Sequence, residues 1–276
     1  MKWKLLLLKK SIIGRIPFAD NVRKVKRKLL GYPPNYQYIK HTIDNYEKIK
    51  AAVIKSIGTG WFPTIPILFA RDGAKKVLLT DLNIHMDEIT FGETLSLLKR
   101  YYPDDAYLEC IKSISDLPFE YLAPFHATEV EDKSIDLITS HLVLEHIPRS
   151  DIYSTFLSLR SKISDHGLSI NLVDHSDHFE HFDKSISKVE FLTWSEELHG
   201  VINYLIKDGE NRLRHHEYHQ IFIDAGFDIV EDIIEIDEKT ISDLNHMDIK
   251  YPFSIMTPEQ LATLTSIYTL KPSLGH

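Results

Sequence analysis

The chain has 276 residues with 43% hydrophobic content and a net charge of −8, enough apolar side chains for one substantial core. Its single cysteine, Cys110, excludes a disulfide framework and a cysteine zinc site, and fits a reducing, cytoplasmic compartment. Charge is unevenly placed: residues 1–33 carry ten Lys/Arg against one acid, Asp20, so a +9 arm precedes a body of −17, which excludes nucleic-acid phosphates as that body's partner.

Residues 1–34 read as a basic amphipathic helical arm, broken at Gly14 and Pro17. Trp3, Leu5 to Leu8, Ile12, Ile13 and Phe18 alternate there with lysines and arginines. The apolar side either caps the domain or lies on anionic lipid at the inner face of a membrane, through residues 1–30. The four-leucine run is too short to span a bilayer and lacks a cleavage pattern, so neither a spanning helix nor a secretory signal is expected. Residues 35–276 read as one domain. A helix is expected over 36–50, with Ile39, Ile43, Tyr46 and Ile49 at helical spacing. Strand 52–57 and helix 63–72 follow, the helix closed by Gly73, and then strand 76–80. Asn83 opens the next helix, Pro103 starts helical turns up to 117, and 119–124 is a short aromatic strand. Strand 134–140, helix 149–163 ended by Gly167, and strand 168–173 complete an alternation that predicts a parallel sheet with helices on both faces. Residues 174–210 form a polar, histidine-rich insertion, and irregular stretches of that length inside a compact domain are usually functional. A helix at 211–224, capped by Gly226, a strand at 227–236 and a last strand at 262–270 end the chain.

Strand 52–57 runs into Gly58-Thr59-Gly60-Trp61-Phe62-Pro63, and strand 76–80 ends in Asp81, 23 positions after Gly58. That is the sequence form of a strand–turn–helix–strand nucleotide site. Glycines let the backbone approach a ligand closely, Pro63 suits a first helical position, and Asp81 can accept hydrogen bonds from a ribose diol. Pro63 stands where a dinucleotide fingerprint has its third glycine, which argues against a pyrophosphate.

These residues resemble the first motif of class I S-adenosylmethionine-dependent methyltransferases, in the subgroup reading Gly-Thr-Gly-Trp-Phe-Pro. The resemblance continues through Asp81, through residues 134–140 and through Leu144-Glu145-His146-Ile147-Pro148, and covers roughly residues 50–270. It implies a Rossmann-like α/β fold: a mostly parallel seven-stranded sheet with helices on both faces and a last, antiparallel strand. It implies S-adenosyl-L-methionine as cosubstrate, held by Ser56, Gly58, Thr59, Gly60, Trp61, Asp81, His126, Ala127, Ser140 and His141. Two positions depart from the family: Ser56 replaces an acid, and His126 replaces an aspartate that touches adenine. Glu145-His146 resembles part of a Glu-x-x-Glu-His metal set in some quinone-biosynthesis O-methyltransferases. Leu142 takes the place of the first acid, and with two ligands no metal site is expected.

Asp174 to Asp183 carries His175, His178 and His181 at every third position. A hydroxyl nucleophile must lose its proton during attack, and histidine is poised for that near neutral pH. His178 is the first candidate base, His175 the second and His146 the third. His181, Arg212 and Arg214 are assigned to the acceptor, the arginines for bidentate grip on a carboxylate or phosphate. After strand 134–140 the chain reads Ser140-His141-Leu142-Val143, not the Asn/Asp-Pro-Pro-Tyr of amino-methylating enzymes. The expected reaction is therefore O-methylation of a small-molecule, sugar (glycan) or lipid-linked acceptor. Two rivals remain open: a catalytically silent binding protein of the same fold, favoured by Ser56 and His126, and a nucleotide-sugar or NAD-dependent oxidoreductase, disfavoured by Pro63.

Overall fold

The computed structural model describes residues 62–81, 84–206 and 209–274, together with 39–40, 42–44 and Lys4. The basic arm, the strand expected at 52–57, the glycine-rich residues 56–61 and the Asn83 cap lie outside the described residues. The chain divides into two compact units; of the described residues, one holds Lys4, 141–157, 171–206 and 209–269, the other 39–40, 42–44, 62–81, 84–140, 158–170 and 270–274.

In the second of these units, helix α1 (Thr64–Arg71) starts immediately after Pro63. It buries every residue from Thr64 to Ala70 and packs on strand β1 (Val77–Thr80). Asp72 and Gly73 end it, with Gly73 at φ +99, a left-handed conformation that a glycine adopts without a Cβ clash. Helix α2 (Glu88–Tyr101) is opened by Asp87, whose carboxylate accepts from the Ile89 and Thr90 amides while Thr90 answers the Asp87 amide. Where Pro103 led us to expect helix up to 117, the structure has helix α3 (Ala106–Cys110) and a single turn at Ile114–Asp116, each capped by its own side chain. These helices form the crossover that parallel pairing needs. Strand β2 (Phe119–Leu122) lies parallel to β1 with Val77 opposite Phe119 and Thr80 opposite Leu122.

Strand β3 (Ile135–His141), helix α4 (Arg149–Lys162) and strand β4 (Ile163–Asp174) come next. The sequence pattern makes Gly167 a helix breaker, but it lies inside β4. A Cβ there would meet the Ile163 side chain at 2.6 Å and the Ile135 and Asp136 carbonyl oxygens at 3.0 Å. Close strand approach, not helix termination, is what requires glycine at this position.

The insertion is ordered by its own apolar side chains. Phe179, Val189, Phe191, Leu192 and Trp194 pack with Ile202 of helix α5 (Glu196–Ile206) and with Phe253, Leu261 and Leu264. Each such fully buried side chain contributes about 1.5–3 kcal/mol. Helix α6 (His215–Asp224) begins four residues later than its apolar spacing predicts and packs on strand β5 (Phe227–Ile236). Helices α7 (Glu238–Leu244) and α8 (Pro258–Ala262) precede the last strand, β6 (Thr263–Pro272). The described residues hold six strands in two sheets, β1-β2 and β3-β4-β6-β5, against the seven expected. The returning strand is present, inserted between β4 and β5.

Candidate active site

Three chain segments build the cluster: the turn after β3, the end of β4, and the residues leading into α6. After β3 the backbone turns through Leu142 at φ +56, its amide donating to the Leu172 oxygen at 3.0 Å. A non-glycine residue in this region is strained and persists only where neighbours hold it. The following turn, Leu144–His146, carries Glu145 inward and His146 outward.

Asn211 clasps that turn. Its amide nitrogen donates to the oxygens of Leu144 (2.8 Å) and Ile147 (2.9 Å), and its backbone N–H donates to the Glu145 oxygen at 2.8 Å. Arg212 beside it is a second non-glycine residue in the left-handed region, at φ +58. This is why α6 starts late: 211–214 make tertiary bonds instead of helical ones. From the sequence Asn211 reads only as the first residue of a helix; its clasp on the turn is tertiary.

At the end of β4, Asp174 accepts the Ser176 amide on Oδ1 (2.8 Å) and faces His178 Nε2 through Oδ2 (3.4 Å). Glu210 accepts the His178 amide on both oxygens (3.3 Å) and places Oε1 3.5 Å from Nε2 of the same ring. His178 therefore sits between two carboxylates. Its ring centroid is 5.1 Å from that of His146 and 5.3 Å from that of His181, with His181 stacked at 22°. Burial would lower the His178 pKa, but the hydrogen bond that its ring donates to Asp174 and the charges of Glu210, Asp174 and Glu145 outweigh it and hold it up at about 9. Asp174 is held down at about 2, its own burial outweighed chiefly by His178. Glu145 and Glu210 are both pushed up to about 8, first by burial.

Glu145 is 3% exposed, and among the described residues neither of its carboxylate oxygens has a hydrogen-bond partner outside its own residue. One donor atom each from Glu145, His146 and His178 lie within 4.8 Å of one another.

The structure withdraws three sequence-predicted residues from the acceptor side. His175 is fully enclosed, with Nδ1 3.0 Å from the Leu213 oxygen and Nε2 2.9 Å from Ser266 Oγ. Burial, with the nearby Arg214 charge, drives its pKa down to about 3, so it is a packed neutral histidine and not a base. Arg214 is 0% exposed and spends its guanidinium on the oxygens of His175 (2.7 Å), Leu261 (2.8 Å) and Thr263 (2.7 Å). Arg212 binds the Phe191 and Trp194 oxygens at 2.9 Å and Glu196 at 2.6 Å. Both arginines tie backbone together; neither is available to grip an acceptor. His181 is exposed on the outside of the cluster.

The other candidates stand at strand ends. Asp81 directly follows β1, its amide 3.3 Å from the Leu122 oxygen and its Oδ1 3.5 Å from His85 Nε2. His126 and Ala127 follow β2 at a short turn, with His126 exposed, and Ser140 and His141 are the last residues of β3. Ser56, Gly58, Thr59, Gly60 and Trp61 lie outside the described residues.

No family model and no curated protein matches the chain. Among solved structures, it is similar to the magnesium protoporphyrin IX methyltransferase of Synechocystis with bound SAH, at 13% identity over 96% of this chain and 100% of that one, TM-score 0.47. It is similar to an S-adenosylmethionine-dependent methyltransferase from Mesorhizobium loti, at 14% identity over 79% and 90%, TM-score 0.44. A SAM-dependent methyltransferase from Leishmania major matches at 12% identity over 98% and 83%, TM-score 0.44. Among the described residues, no helix is long and apolar enough to cross a membrane.

Proposed function

We propose that this chain is an S-adenosylmethionine-dependent methyltransferase that methylates a hydroxyl oxygen of a small-molecule, sugar or lipid-linked acceptor. The observation that carries the reading is the place of Asp81. It follows a strand that pairs in parallel with its neighbour, and it stands 23 positions after Gly58 of a Gly-Thr-Gly turn. A carboxylate at the carboxyl end of such a strand is where a nucleoside's ribose diol is bound in open α/β sheets. Gly58 to Trp61 would then hold the cosubstrate, with His126, Ala127, Ser140 and His141 as further contacts.

The acceptor oxygen attacks the sulfonium methyl in line. The new bond is oxygen–carbon, the carbon–sulfur bond breaks, and S-adenosylhomocysteine leaves. The hydroxyl proton must go to the protein or to water. The cluster around His178 is where the chain offers groups to guide that proton: one imidazole, held charged between Asp174 and Glu210 and so able to orient the acceptor oxygen rather than to take its proton, with Glu145 and His146 beside it. Positioning of nucleophile, methyl and sulfur supplies much of the rate.

Two substitutions test the halves of this reading separately. Asp81→Ala removes charge-assisted hydrogen bonds of about 1.5–3 kcal/mol, so cosubstrate affinity by calorimetry should fall more than tenfold. His178→Gln should leave that affinity intact while methyl transfer to an accepted substrate drops by about 10²–10⁴. Unchanged affinity in Asp81→Ala removes the support for the cosubstrate site. An unchanged rate in His178→Gln moves the chemistry elsewhere.

A further inference from the structure

We propose that Glu145, His146 and His178 form a binding site for one divalent first-row transition-metal ion. Sequence spacing pairs only two ligands, Glu145 and His146, in that motif and predicts no metal site there. The fold supplies a third donor from the segment after β4, and the three donor atoms fall within 4.8 Å of one another. Donors about 2.0–2.2 Å from a common ion lie up to about 4.4 Å apart, so small side-chain adjustments close the set.

Glu145 is the second, independent observation. Its carboxylate is almost wholly buried and finds no hydrogen-bond donor outside its own residue among the described residues. A carboxylate is rarely buried without a partner, because the lost hydration is not returned. A cation at the point where Glu145 faces His146 and His178 is the partner that this geometry fits.

Charge and support agree. His178 is ringed by three carboxylates, those of Asp174, Glu210 and Glu145, the first two at 3.4 and 3.5 Å from Nε2. Two donors on one tetrahedral ion are separated by about 3.4 Å, so Asp174 and Glu210, at that spacing from Nε2, stand as neighbours of the bound ion. Asn211 fixes the Glu145 turn to the Glu210 segment through its bonds to the Leu144, Ile147 and Glu145 oxygens. Two imidazoles and a carboxylate suit zinc, manganese, iron or cobalt, whereas magnesium and calcium favour all-oxygen sets.

The site is defined by its donors alone. Its use rests on the proposed function: an ion there acts as a Lewis acid on an acceptor hydroxyl. His178 Nε2 cannot both bind the ion and accept the proton, so in that case the proton passes to another cluster group or to water.

The test uses the full chain, stripped with chelator, dialysed, and titrated with Co²⁺ by visible absorption and with Zn²⁺ by calorimetry. Expected is one equivalent per chain, with ligand-field absorption from Co²⁺. Glu145→Gln, His178→Asn and the exposed His146→Gln should each weaken binding at least tenfold, and His219→Asn should bind as wild type. His146→Gln keeps the test decisive should either buried variant fail to fold. Absence of one-to-one binding in wild type, or wild-type affinity in the folded cluster variants, overturns the proposal. Metal binding without methyl transfer to any acceptor would leave the site standing and sink the functional reading. Methyl transfer untouched by chelator, with no bound ion, would do the reverse.

Discussion

His175 and His178 stand three residues apart on one segment, both largely buried, and their surroundings have made opposite things of them. His175 has a carbonyl oxygen at one ring nitrogen and a hydroxyl at the other, with a buried arginine nearby, and it is held neutral with its pKa near 3. His178 faces Asp174 and Glu210 and is held charged, with its pKa near 9. Both ring nitrogens of His175 are matched, and Arg214 gives its terminal guanidinium nitrogens to backbone oxygens, which gives rigidity and no chemistry. Those around His178 are mismatched, three carboxylates to one imidazole, and among the described residues Glu145 is left without a hydrogen-bond partner outside its own residue. Burial alone does not mark a site; uncompensated burial does.

The largest expected effect breaks the matched side. Arg214→Met removes the donors to the oxygens of His175, Leu261 and Thr263. Leaving buried carbonyls unsatisfied costs about 1–3 kcal/mol each, so urea denaturation should show a loss of roughly 3–5 kcal/mol after partial relaxation. A loss below about 1 kcal/mol would mean that water replaces the guanidinium, and the matched description would be wrong.

Next come two carboxylates that should respond with opposite signs. Asp177 is 0% exposed and accepts the Phe179 amide at 2.8 Å and the Phe191 amide at 2.9 Å. Asp177→Asn turns one acceptor into a donor facing an N–H, and should destabilise the chain by about 1–3 kcal/mol. Glu145→Gln should do the reverse. Measured with chelator present, replacing an unpartnered carboxylate by an amide should stabilise by about 1–3 kcal/mol, since an amide costs less to bury. Added Zn²⁺ should then raise the wild-type melting temperature but not that of the variant. Destabilisation in Glu145→Gln under chelator would show that this carboxylate does have a partner.

Much of the frame was legible. The alternation of apolar runs and turn residues gave β1 and α1 within a residue or so, and gave β3 and β5, because period and caps are local properties. Asp81 was placed at the end of β1 by the same logic. Three things were not local. Gly167 reads as a helix breaker until the Ile135 and Asp136 oxygens lie 3.0 Å from where its Cβ would be. Arg212 and Arg214 read as surface grips until tertiary packing encloses them. The third partner of Glu145 and His146 comes from another segment, and only the fold brings it within reach. A signal did exist for Asn211 to Arg214: an uncommon run of polar residues between two helices, whose backbone bonds had to go somewhere.

The smallest effect sharpens the comparison through pH. His199 is a second matched histidine, 7% exposed, with its Nε2 3.2 Å from the Asn203 amide nitrogen, which donates to the neutral ring. Burial first, and then the Arg212 charge, push its pKa down to about 4. In the unfolded chain an ordinary histidine titrates near 6.5. Below that value the unfolded state takes up a proton that the folded state refuses, so stability present above pH 6.5 is lost as pH falls toward about 4. His175 acts with the same sign, down to about 3. His178 acts with the opposite sign: its contribution is complete below 6.5 and lost as pH rises through about 9. His199→Gln keeps an acceptor for Asn203 but has no proton to take. Urea denaturation at pH 7, 6, 5 and 4.5 should therefore show a shallower acid loss than wild type, by at most about 1.4 kcal/mol per pH unit. Parallel profiles for the two proteins would mean that His199 takes up its proton as readily in the fold as in the unfolded chain, and the matched description would fail for it.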